Sequence, residues 1–132
     1  MRARQYTPKD SLVFGGNFLH SLNIGTQIRL YEIEIATRVP KKFRFPYFVR
    51  FLWFVGHYYL LLLGQSPLPR EIPPRVLRGL KSLSLFLVEQ ARRTLPTSTT
   101  YSNEQRKAAK ENVPADVIPD PVDFVRSSFR LT

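Results

Sequence analysis

Two histidines and ten carboxylate side chains are the residues of this 132-residue sequence best suited to hold a metal or move a proton. There is no cysteine, which removes disulfides, cysteine nucleophiles and thiolate metal sites together. His20 ends the run LVFGGNFLH, and SLNI follows it. An imidazole at the end of a strand can project into a cavity, where it binds a metal through a neutral nitrogen or acts as an acid or base; packing is the competing reading. His57 stands inside an aromatic run and reads as a packed residue with a hydrogen bond. Gly15 and Gly16 allow the backbone to turn or to be approached closely, but they lack the strand–loop–helix context of a phosphate loop. Asn17, Ser21 and Asn23 fall where they could line or brace a pocket around His20, and turn hydrogen bonding is an equal reading for all three.

The elements that must position these residues follow from spacing. Residues 11–14, SLVF, read as a short strand, and residues 27–35, QIRLYEIEI, as a second. In the second, Arg29, Tyr31, Ile33 and Ile35 share one face, and Ile28, Leu30, Glu32 and Glu34 the other. Neither face is cleanly apolar. Residues 38–45 form a basic connection containing Pro40. Apolar residues at spacings of three and four then predict helices over 46–63 and 74–93, the first opened by Pro46 and apolar almost all round. Ser102 and Gln105 make a capping box for a helix over 102–112, and 121–129 reads as a last helix. The expected class is therefore mixed α+β. Two strands make a poor independent sheet, so partner strands are expected elsewhere.

The formal net charge is +10. The excess is spread along the chain: nine Lys and Arg stand against three Asp and Glu in residues 1–66, and eleven against seven in 67–132. Such a balance favours polyanions and leaves non-specific DNA contact through a basic surface open. The longest lipid-like stretch, residues 51–63, holds thirteen residues against the roughly 20 that span a bilayer, so a buried helix is expected and no membrane partner.

The segment SLVFGGNFLHSLNI, followed by QIRLYEIEIATRVPKKFRFPYF, closely resembles the end of the catalytic domain in the JmjC histone lysine demethylases. The nearest branch is the fungal and animal group with a helical extension directly after that domain. A looser likeness continues through PPRVLRGLKSL to PDPVDFVRSSFRL. The resemblance implies the final strands of a double-stranded β-helix over residues 1–38, incomplete in this chain, and a helical extension over 39–132. It implies Fe(II) held by two histidines and a carboxylate, 2-oxoglutarate as cosubstrate, and oxidative demethylation of a lysine on the histone H3 tail, in the nucleus and on the nucleosome. His20 matches the last iron ligand of the family. The family's His-x-Asp/Glu pair belongs upstream of it, where the only acid is Asp10, with Pro8 two residues before. Glu32 and Glu34 do not replace the pair. No residue of the chain is therefore assigned a catalytic role, and the chain alone is expected to be inactive without the remainder of the JmjC domain. The alternative reading is a non-catalytic helical module for protein interaction or chromatin binding.

Overall fold

The computed structural model describes residues 9–12, 14–16, 19–65, 71–96 and 99–131, with side chains as far as residue 127. Among the described residues five helices make the fold: α1 (Ile24–Ala36), α2 (Phe48–Leu63), α3 (Pro74–Thr94), α4 (Asn103–Asn112) and α5 (Pro121–Leu131). Short 3-10 turns at Ser21–Asn23 and Lys41–Phe43 precede α1 and α2.

α3 is the axis against which every other helix packs. Its sequence explains why. Val76, Leu80, Leu83, Leu87 and Ala91 recur at helical spacing and all are buried, so one continuous stripe must be covered by neighbours. Pro74 opens the helix at no hydrogen-bond cost, and Arg92 and Arg93 sit in its last turn beside the negative end of the dipole. Around the stripe gather Ile24 and Ile28 of α1, Phe48, Val49, Leu52 and Trp53 of α2, Val113 and Ile118 after α4, and Val125 of α5.

Local chemistry sets the ends of the later helices. The Ser102 hydroxyl accepts the Gln105 N–H at 3.2 Å, and Gln105 Oε1 accepts the Ser102 N–H at 2.9 Å, completing the capping box. Asp120 Oδ1 accepts the N–H groups of Val122 and Asp123 at 3.0 and 3.3 Å, which caps α5. Arg50 of α2 donates to the Glu111 carbonyl at 3.2 Å and so ties α2 to the end of α4.

The two expected strands are not found among the described residues. Residues 27–35 lie inside α1, and residues 11, 12 and 14 carry no regular structure; Val13 falls outside the described residues. The mixed α+β class, with the closing strands of an incomplete β-helix, is thus corrected to an all-helical arrangement of the described chain. The reason is physical. A strand needs a neighbour for its backbone groups, whereas α1 satisfies its own and turns Ile24, Ile28 and Tyr31 toward α3, at spacings of four and three. Packing therefore overrides the β-branched content that suggested a strand. Two glycines face this contact: a Cβ at Gly79 would sit 3.4 Å from Ile24 Cβ, and one at Gly25 would sit 3.7 Å from Ser82 Oγ, so α1 and α3 meet at ordinary packing distance. None of the helices is long and apolar enough to cross a membrane among the described residues.

Candidate functional site

His20 has extended backbone (φ −134°, ψ 161°) and caps the 3-10 turn that leads into α1. Its Nδ1 accepts the Leu22 N–H at 3.2 Å, while its own N–H donates to Asn23 Oδ1 at 3.2 Å. The two side chains thus make a reciprocal cap, and the side chain of His20 is exposed. Accepting this hydrogen bond at Nδ1 places the proton of the neutral ring on Nε2. A metal at Nε2 needs the opposite tautomer, with Nδ1 carrying the proton. Capping and ligation therefore exclude one another while the ring faces Leu22. Among the described residues, no three or more His, Cys, Asp or Glu side chains gather as a metal would require.

His20 and Ser21 do share a cavity. Together with Leu19 and Ile24 they form one wall of a space of about 750 Å³, whose other wall is aromatic: Phe45, Tyr47, Phe51, Phe54, Tyr58 and Tyr59. The aromatic wall exists because α2 is apolar nearly all round but fully buries only Phe48, Val49, Leu52, Trp53 and Leu62, with Val55, Tyr59 and Leu63 partly buried against the core. Phe51, Tyr58 and Leu61 stay about half exposed, at 48%, 51% and 57%. Asn23 braces His20. Gly16 lies apart, at a smaller hollow beside Tyr31 and Phe43, and a Cβ at Gly15 or Gly16 would meet nothing within 4 Å. Asn17 falls outside the described residues. His57 is half-buried on α2, its ring 6.3 Å from that of Phe124. Glu32 is exposed on α1.

A second cavity, of about 570 Å³, was not anticipated from the sequence. It opens where the loop before α2 meets the end of α4, and Lys41, Arg44, Tyr47, Arg50, Glu111 and Tyr31 help to line it. Arg44 Nε is buried with no hydrogen-bond partner. The Tyr31 hydroxyl is shifted above its ordinary pKa of 10.0, because burial disfavours the phenolate more than nearby Arg44 and Arg93 favour it. The available signal was the basic, aromatic run KKFRFPYF, which spacing divides between the basic connection over 38–45 and the start of the helix over 46–63.

The Jumonji helical domain family matches residues 22–121. The chain belongs to it. Within the Jumonji helical domain proteins, the JmjC domain-containing histone demethylation protein 1 of Cryptococcus neoformans is 44% identical over 124 aligned residues, covering 88% of this chain and 14% of its own length. Lysine-specific demethylase 2A of Xenopus tropicalis is 52% identical over 67 residues, which is 50% of this chain and 6% of that protein. Lysine-specific demethylase 7B of Danio rerio is 45% identical over 78 residues, 58% of this chain and 14% of that protein. The sequence thus corresponds to one segment of these relatives, and it spans about a seventh of the length of the first. The match begins two residues beyond His20 and takes in α1 to α4. No solved structure matches the chain significantly.

Proposed function

We propose that this chain serves as the Jumonji helical domain of an Fe(II)- and 2-oxoglutarate-dependent histone lysine demethylase, working on a methylated lysine of the histone H3 tail in the nucleus. The support is the match over residues 22–121 together with the demethylase relatives. The exposed aromatic face of α2 and the cavity beside His20 are the surface that the catalytic segment covers. Residues 19–21, which lead back toward the catalytic motif, form its rim. Bound iron supplies the oxidative chemistry to this family; as arranged here, the described residues do not fit it. His20 can act as the last ligand only after its ring releases the Leu22 N–H, with the other ligands supplied from outside this chain. The chain's own contribution is to hold residues 19–23 against a stable helical platform.

A graft tests this reading. The chain replaces the matching segment of the Cryptococcus neoformans relative, and formaldehyde release from a methylated H3 peptide is followed with Fe(II) and 2-oxoglutarate. The chain alone releases none; the graft is active, and His20→Ala abolishes its activity. A folded but inactive graft, or full activity in the His20→Ala graft, would contradict the reading. The alternative, a non-catalytic helical module for protein interaction or chromatin binding, draws on the exposed face of α2 and predicts an inactive graft.

A further inference from the structure

Residues 38–50 carry five cations, Arg38, Lys41, Lys42, Arg44 and Arg50, and no acid. Residues 72–88 also lack acids but carry three cations, Arg75, Arg78 and Lys81, over a longer span; the charge of residues 38–50 is denser. The only ion pair among the described residues joins Arg92 and Glu89, at 4.0 Å. Of the five cations, Arg50 is committed within the fold, through its bond to the Glu111 carbonyl and its place 5.8 Å from the Phe54 ring. The others form no ion pair within the described chain. Arg38, Lys41 and Lys42 are exposed, and Arg44 has a buried Nε that donates to nothing.

The loop is held in shape. Arg38 and Tyr47, at φ 56° and 55°, are the only non-glycine residues with positive φ among those described, and they bracket it. A left-handed backbone is unfavourable for such side chains and persists only where its surroundings fix it. Between them the Lys41–Phe43 turn presents consecutive lysines, with Lys42 Nζ 5.0 Å from the Phe43 ring. Phe43 and Tyr47 are themselves largely exposed, at 61% and 75%. A run of cations without ion-pair partners among the described residues, beside a cavity lined by Lys41 and Arg44, suits a regularly spaced line of negative charge.

We infer that residues 38–47 form a docking surface for the phosphate backbone of duplex DNA, with Lys41, Lys42 and Arg44 as its phosphate contacts. Phosphate neutralisation by cations releases condensed counterions and needs no base readout. This goes beyond the demethylase reading and does not depend on it, because the contact requires no catalytic segment.

The test is fluorescence anisotropy of the full 132-residue chain with a short duplex of random sequence, from about 50 to 200 mM salt. The unaltered chain binds, with log affinity falling linearly against log salt. K41Q/K42Q/R44Q reduces that slope by about 2 to 3 and weakens binding at the lowest salt by roughly tenfold or more. K41Q/K42Q, confined to exposed side chains, reduces the slope by about 2 with unchanged helical circular dichroism. R75Q/R78Q/K81Q removes the same charge from exposed positions of α3 and leaves the slope unchanged. Three results would overturn the inference: no binding by the unaltered chain, an equal loss in the α3 control, or equally strong capture of the chain by polyglutamate. Loss of demethylation in the graft with DNA binding intact would count against the demethylase reading alone.

Discussion

α2 and α3 lie side by side, and their burial runs opposite to their hydrophobicity. In α2 only Arg50, Gly56 and His57 interrupt an apolar sequence of sixteen residues, yet five of its side chains are buried. α3 is far more polar, carrying arginines, serines and a glutamate, and yet buries nine of its twenty-one residues. Burial follows the geometry of the stripe, not the content of the helix. α3 directs most of its apolar residues at one angle, where neighbours cover them, and leaves only Leu77 and Leu85 outside. α2 spends one angle on the core and leaves Phe51, Phe54, Tyr58 and Leu61 facing outward. Isolated apolar residues at a surface need no explanation, but a contiguous face of this kind marks a contact.

Substitutions on the two faces of α2 should separate sharply. Trp53 is wholly buried, and Trp53→Ala removes about 3–5 kcal/mol of stability in urea unfolding. Phe54→Ser and Tyr58→Ser, on the outer face, change it by less than about 1 kcal/mol and leave the midpoint nearly unmoved. A large loss at Tyr58 would place the outer face inside the core.

The same logic resolves α1. Ile28 and Leu30 would share a face in a strand; in the helix Ile28 is buried at 5% exposure and Leu30 is not, at 44%. Ile28→Ala therefore costs about 2–4 kcal/mol and Leu30→Ala well under half of that. Equal costs would restore the strand. Ser102→Ala, at the start of α4, costs about 1 kcal/mol through the lost cap. The smallest effect concerns Tyr31. Its hydroxyl pKa is higher in the folded chain than in the unfolded one, so the folded state holds the proton more tightly. That stabilisation is complete below pH 10 and is lost as pH rises through the folded value. Tyr31→Phe should flatten the decline of stability above pH 10, and a decline unchanged in the variant would assign it to other groups.

Helical periodicity was legible wherever it was unmixed. The α3 stripe and the Ser102–Gln105 box could be read from residue types alone, because each acts over three or four residues. α1 was not legible: its isoleucines fit a period of two as readily as one of 3.6, and the buried stripe of α3 that decides between them lies far along the chain. Nor could spacing reveal that Tyr47 and Arg38 adopt left-handed backbone, which depends on how the loop is anchored at both ends. For the site, the sequence marked His20 and its neighbours Ser21 and Asn23. It did not show that Asn23 and His20 cap one another, nor that the aromatic wall of α2 stands across the cavity from them.

If the outer wall of α2 couples the helical domain to a demethylase, its loss must cost turnover and not stability. The most direct test is formaldehyde release by the graft with and without Phe54→Ser and Tyr58→Ser, beside urea unfolding of the isolated chain with the same changes. Turnover is expected to fall at least about tenfold while the isolated chain unfolds at the same midpoint. Undiminished turnover in the doubly substituted graft would contradict it.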